Sequence, residues 1–375
     1  MKIVIKKSNL QKALNHVQSI VEKRNAIAML ANVKIEAKDN RLAFTTTDMD
    51  ISITDLVEAE VDQPYSTTIP VLTLYEIVKK IPEDADITFE ASADNINQIL
   101  VKFASSKFTL PCLPAEEFPN FELGDTTHNF KISSSALKLL LTKTRHAISN
   151  EETRYYLNGI YLHSIESEGA GLLRAVSTDG HRLARAEVAL PEGAKNIPGI
   201  IIPKKTVNEL IKLVEDFNDD INIGLSVNKA IFEIGNSKLI TKLIDGKFPD
   251  YTRVIPTNND KQLEISCKDL IKSIELVISV SSDKTRAVKL DIEPSKVVLS
   301  ASSEMNGNAS GTQMLAANYN LEPISIGFNS KYVLDSLNTM EGDTVRFMLS
   351  NSSGAVIALD SADDKSLYIL MPMQV

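Results

Sequence analysis

The stretch KIVIKKSNLQKAL, Lys2–Leu14, opens with alternating apolar and polar residues and then changes to apolar residues three or four apart. That change marks a strand running into an amphipathic helix. The same pattern returns as NFKISSSALKLLL, Asn129–Leu141, and as QLEISCKDLIKSI, Gln262–Ile274. Leu10, Leu137 and Leu270 hold equivalent places, 127 and 133 residues apart. A second helix recurs in the same frame: TIPVLTLYEIVKKI around Pro70, IIPKKTVNELIKLV around Pro203 and IGFNSKYVLDSL around Asn329, spaced 133 and 126 residues. The first two copies also share a tail, FTLPCLPAEEFPNF ending at Phe121 and ITKLIDGKFPDY ending at Tyr251. This period is too long for a solenoid unit, so each copy reads as a domain, with boundaries at 1–126, 127–256 and 257–375.

Inside each copy the first helix carries one buried stripe: Leu10, Leu14, Val17 and Val21; then Leu137, Leu141 and Ile148; then Leu270, Ile274 and Val277. Ser8 and Ser134 stand where N-caps are expected, whereas Cys267 is a poor cap that leaves Asp269 to favour the first turn. The runs VKIEA, RLAFTTT and ISITDLVEAEV alternate with period two and read as strands. Each copy therefore reads as βαβββ twice over, with helices on one face of antiparallel sheet, an α+β architecture. A length of 375 residues, 43% hydrophobic, suffices for three cores of ordinary size. Cys112 and Cys267 lie in apolar or strand-like surroundings and read as buried free thiols of a reducing compartment. MKIVIKKSNL reads as a strand and not as a signal peptide, and no run approaches the ~18 apolar residues of a membrane span, so the expected location is the cytoplasm.

The net charge of −9, taken alone, argues against a polyanionic partner. Sorting charge by element reverses that inference. Thirteen Lys and Arg against seven Asp and Glu fall on the helices, a net of +6 that leaves about −15 for sheets and loops. Such a bias across all helices suits sequence-independent phosphate contact. No aromatic platform interleaves these cations, which favours duplex over stacked single strand. Helices set side by side at ~9 Å enclose a hole of only about 7 Å if there are six, but about 24 Å if there are twelve. A duplex about 20 Å across fits the second ring and not the first. A head-to-tail dimer therefore works where a monomer ring does not.

Four further stretches carry a resemblance: RYYLNGI at Arg154–Ile160, STDGHRLA at Ser177–Ala184, GKFPDYTRVIP at Gly246–Pro256 and LYILMPMQV at Leu367–Val375. Together they resemble the bacterial sliding-clamp family, the beta subunits of DNA polymerase III, and the likeness runs from residue 1 to 375. It implies a homodimeric ring of six similar domains, helices lining the hole, that encircles duplex DNA as a processivity factor. It implies neither catalysis nor a cofactor, and a ring opened by an ATP-driven clamp loader. It also implies a pocket that receives a hydrophobic motif from the polymerase III catalytic subunit, the loader, other DNA polymerases and repair proteins. Its walls would be Leu157, Thr178, Gly180, His181, Arg182, Leu183, Pro249, Arg253, Val254, Asn329, Tyr332, Val356, Ile369, Met371, Pro372 and Met373. The apolar and flexible side chains among them suit varied peptides, and Arg253, Asn329 and Tyr332 offer polar contacts. Gln374 departs from a usually basic position, and Ser353 and Ala355 are small where the second subsite falls. Arg24 would contact DNA, with Arg154, Tyr155 and Tyr156 as further candidates beside the helix lysines Lys79 and Lys80. The ring seam would set Phe108 and Leu110 of one chain against Leu276, Val277 and Val280 of another, with Ser279 in a usually apolar place.

Two other classes weigh less. An enzyme would have to start from Asp179-Gly180-His181-Arg182, which lacks a nucleophile and a third orienting group nearby. His16, His128, His146, His163 and His181 show no metal-binding spacing, and no phosphate-cradling GxxxxGK[ST] loop is present, so ATP hydrolysis belongs to a partner. A scaffold that does not encircle DNA would explain the repeat and the Met-rich C-terminus but not the basic helices.

Overall fold

The computed structural model describes residues 1–22, 27–93, 95–281, 287–303 and 309–374. Six α-helices stand among them: α1 Lys7–Val17, α2 Val71–Val78, α3 Ser134–Thr144, α4 Lys204–Val214, α5 Cys267–Val277 and α6 Ser330–Leu337. Each copy runs strand, helix, three strands, strand, helix, three strands, with one two-residue strand (Glu60–Val61) added in the first. The first helix of each copy starts identically. The backbone N–H of Lys7, Ser134 and Cys267 donates to the carbonyl of Ala85, Asp219 and Asp343 at 2.9, 3.2 and 2.9 Å. Each bond satisfies a donor that a helix start leaves unpaired. A three-residue 3₁₀ turn then follows α1, α3 and α5.

The expected stripes are buried: Leu10, Leu14, Val17, Leu137, Leu141, Leu270 and Ile274 are fully enclosed. The caps differ from expectation. Ser8 lies inside the first turn of α1, whose flanking Lys6 makes no side-chain cap, and Ser134 is the first residue of α3. At α5 the cap is Ser266, whose Oγ accepts from the Asp269 N–H at 3.3 Å. Cys112 and Cys267 are buried free thiols.

The chain packs as two compact units, Met1–Ser135 with Pro191–Ala194 and Asn208–Leu243, and Ala136–Leu190 with Lys195–Val207 and Ile244–Val375. The division falls inside the middle copy because each eight-stranded sheet draws strands from two copies. In the first unit, Ile51–Asp55 pairs antiparallel with Ser237–Thr241. In the second, Arg182–Ala186 pairs antiparallel with Ser366–Leu370. These are the same seam built twice. The strands left over by that rule each end a sheet: Ser106–Pro111 closes a five-stranded sheet in the first unit, and Ala309–Ala316 a four-stranded sheet in the second.

The turns entering the two seams are alike as well. Thr178 Oγ1 donates to the Arg182 carbonyl and accepts from the Gly180 N–H, while Asp179 Oδ1 accepts from the N–H groups of His181 and Arg182. Thr47 and Asp48 make the same four bonds to Ile51, Met49, Asp50 and Ile51. Met49 and Gly180, the counterparts at the bend, both hold positive φ, 76° and 90°.

Candidate functional site

Side chains alternate faces along a strand, so the second seam carries two different rows. Leu183, Ile369 and Ile357 are cross-strand neighbours on one face. They cluster with Leu157, Val176, Ile201, Phe248, Tyr251 and Leu367. The opposite face carries Ala184, Tyr368, Ala358, Val356 and Leu370 into the main core of the C-terminal copy. This corrects the sequence expectation for Val356, which is fully buried on the wrong face; the half-buried Ala355 and Ile357 stand beside the site instead. The misplacement is one residue, which in a strand inverts the side.

The C-terminal segment is tied down on both flanks. Met371 N–H donates to the His181 carbonyl and Met373 N–H to the Gly327 carbonyl, each at 2.9 Å. Yet the side chains of Met371 and Met373 are 44% and 37% exposed, and nearby in the same unit Val254 is 51% exposed. An ordered backbone that presents apolar side chains to water is what an interaction surface requires.

The polar frame is more occupied than the sequence suggests. Arg182 is buried, with Nε 3.0 Å from Asp179, Nη1 2.7 Å from Asp335 and its guanidinium 4.4 Å over the Tyr332 ring. His181 stacks on the same ring at 6.4 Å. Arg182 is thus a strut between the Thr178–Arg182 turn and α6, not a free cation. Asn329 Oδ1 accepts from the Lys331 N–H at 3.0 Å and caps α6, so its amide nitrogen is the part left for a ligand. Arg253 pairs with Asp250 at 3.0 Å but keeps its side chain 83% exposed, a cation available at the rim. The Asp250 carboxyl is held below its ordinary range, first by the Thr252 hydroxyl and then by other hydrogen bonds and Arg253. Beneath the frame His146 is pushed down to about 3 by burial, with the Arg182 charge adding, and stays neutral. Gly180, at φ 90°, suits its place: a Cβ there would be strained and would crowd Arg154 Nη1 at 2.7 Å.

The candidates for DNA contact scatter. Arg24 lies outside the described residues. Arg154 is held by Glu151 through two bonds of 2.6 Å and donates to the Asp179 carbonyl at 3.2 Å, so it braces the turn of the apolar site. Tyr155 is exposed and meets Tyr156 edge-on at 5.8 Å, while Tyr156 packs against the apolar cluster; both belong to that site's surroundings. Lys79 and Lys80 are exposed, with Lys79 3.7 Å from Glu76. Among the other helix cations Lys12, Arg145, Lys268, Lys272 and Lys331 are exposed. Lys143 is not: it is buried against Asp360, Asp363 and Glu341 and donates to the Thr339 carbonyl at 2.6 Å.

At the leftover edges, Phe108 is 36% exposed and stacks on Phe103 at 6.2 Å. The two rings border a cleft of about 480 Å³ with Leu72 and Ile77. Leu276 is exposed and Val280 half-buried, and the Ser279 hydroxyl is satisfied by the Leu276 carbonyl at 2.7 Å. Leu110 and Val277 are buried within their own copies and shape the edges from beneath.

Sequence reasoning missed Asp335, Glu151, Tyr161, His163, Arg174 and Glu187, which hold the site from behind. Tyr161, His163, Arg174 and Glu187 gave only the signal of polar residues on largely apolar strands, while Asp335 on α6 and Glu151 in a loop gave none.

The chain matches the DNA polymerase III beta subunit in its N-terminal domain over residues 1–122, its central domain over 131–250 and its C-terminal domain over 252–374. The beta sliding clamp of Caulobacter vibrioides is 41% identical over 375 residues, and that of Escherichia coli 31% identical over 375, each covering all of both chains. A solved clamp of C. crescentus with polyethylene glycol bound superposes with a TM-score of 0.95 at 40% identity, covering 100% of this chain and 99% of that one. A Bartonella birtlesii clamp bound to griselimycin does so with 0.95 at 38% identity, covering 100% of both.

Proposed function

The chain belongs to the bacterial sliding-clamp family, the non-catalytic beta subunits that make DNA polymerase III processive, and on that premise we propose how this sequence builds its ring and its docking pocket. Three domains, bounded at 126 and 256, each contribute one seam. Two seams form within the chain, and the third joins Ser106–Pro111 of one copy to Ala309–Ala316 of another. Repeating that contact head to tail makes a closed dimer in the cytoplasm, with helices toward duplex DNA. Phe108, Leu276 and Val280 give the third seam its apolar contact. The supporting observation is that the leftover edges are the counterparts of the strands paired elsewhere.

The exposed lysines act as diffuse charge that lets the ring slide. Neutralising Arg24, Lys79 and Lys80 together should lower DNA affinity at low salt, flatten its salt dependence and leave the dimer mass unchanged. The apolar site takes the clamp-binding motifs of the polymerase III catalytic subunit, the clamp loader, other polymerases and repair proteins. What carries this reading is Met371 and Met373, ordered in backbone and open in side chain. Two buried peptide anchors at roughly 1.5–3 kcal/mol each contribute roughly 3–6 of the about 8 kcal/mol that micromolar binding needs. Deleting Met371–Val375 should abolish binding of a polymerase C-terminal peptide in calorimetry while the dimer persists. Unchanged affinity in the folded deletion protein would remove the assignment.

A further inference from the structure

The rim of the pocket hangs from two aromatic anchors. Phe248 stacks on Tyr161 at 4.9 Å, nearly parallel. Tyr251, buried, has its hydroxyl 2.8 Å from Arg174 Nη1, which donates to it, and 3.1 Å from His163 Nε2. Tyr161 in turn stacks on His163 at 4.5 Å. Arg174 is fixed from the other side by Glu187 at 2.5 Å, and Arg185 reaches the same carboxylate at 3.1 Å. Burial pushes the His163 imidazole down to about 4, with the Arg174 charge adding. It is therefore neutral and can accept the hydroxyl proton that Arg174 leaves free. The segment between and beyond these anchors supplies Pro249, Arg253 and Val254.

The molecule contains its own control. The shared tails FPNF and FPDY set Phe121 in the place of Tyr251, and registering the two seams by their shared turn sets Glu36, Ala43, Thr54 and Leu56 in the places of His163, Arg174, Arg185 and Glu187. The hydroxyl and every group that holds it are missing there. Over that sheet the segment Phe118–Gly124 borders a polar cleft of about 790 Å³.

We propose that Tyr251, Arg174 and His163 are positioning residues that lock the Phe248–Val254 rim over the sheet and so set the pocket's affinity for an apolar peptide without touching it. The proposal rests on the reading of that surface as the peptide pocket. A loose rim must be ordered when the peptide binds, which costs affinity; a locked one is ordered already.

The test uses the full-length protein and a synthetic peptide copying the C-terminus of the polymerase III catalytic subunit. Tyr251→Phe should weaken binding about tenfold, mainly through faster dissociation. His163→Ala should do the same, and the double variant should lose no more than either single one, because all act through one bond. In the peptide-free protein, Val254 methyl resonances should shift and broaden in Tyr251→Phe, while those of Met371 and Met373 stay in place. Wild-type affinity with unmoved Val254 resonances, or losses that add independently, would overturn the proposal. If deletion of Met371–Val375 also leaves binding intact, the pocket itself is misplaced; the Val254 resonances, read without peptide, tell the two failures apart.

Discussion

Thr47–Ile51 and Thr178–Arg182 fold into one turn with the same four hydrogen bonds, and each leads into a seam between copies, yet the surfaces beside them differ in kind. Beside the second turn the sheet row reads Leu183, Ile369, Ile357; beside the first it reads Ser52, Ile240, Ile231. Two of the three positions keep their isoleucine. One serine for leucine, together with Lys238 where Leu367 stands, turns an apolar floor into a polar one. Backbone architecture therefore sets where a pocket can form, and a few side chains decide whether one does.

The sharpest way to break this comparison is to exchange the differing residue. Leu183 is already only 2% exposed without peptide, so Leu183→Ser acts by putting a hydroxyl into the apolar floor and should weaken peptide binding about tenfold or more by calorimetry. Ser52→Leu should create no second site, because the rim network is missing there. Measurable peptide binding at the first seam of that variant would show the floor alone to be sufficient.

The two bends offer a smaller contrast. Gly180→Ala should destabilise by about 1–2 kcal/mol in urea unfolding, from strain at positive φ and crowding of Arg154. Met49, exposed and already at φ 76°, bears similar strain, so Met49→Gly should cost nothing or stabilise by up to about 1 kcal/mol.

A pH dependence adds a third contrast. His163 titrates at about 4 in the folded chain, against an ordinary value of 6.5. The unfolded chain thus takes up a proton that the folded one refuses. Stability is full above pH 6.5, falls as the pH drops toward 4 and levels off below it. His163→Gln should flatten the decline of the melting temperature between pH 6.5 and 4, whereas Glu36→Gln at the counterpart position should not.

The repeat, the helices and most strands are legible in the sequence because hydrophobic period reports directly which side of an element is buried. What sequence alone misassigns depends on partners distant in the chain. Lys143 looks like a helix-surface cation, but Asp360 and Asp363, more than two hundred residues away, enclose it. Arg154 follows an acidic stretch and reads as a free guanidinium until Glu151 and the Asp179 carbonyl are seen to hold it. Val356 fails through a one-residue frame error that only strand register corrects. Ser266 caps α5 because the helix starts one residue before the frame of Cys267 suggests.

The central claim is that one seam is used three times, the last time between chains. Sedimentation equilibrium of the wild-type protein and of Phe108→Asp tests it most directly, since a charge buried unpaired in the third seam costs several kcal/mol. The account predicts a particle of twice 41.2 kDa for the wild type and a folded 41.2 kDa monomer for the variant. A wild-type monomer, or a variant that remains a dimer, would contradict it.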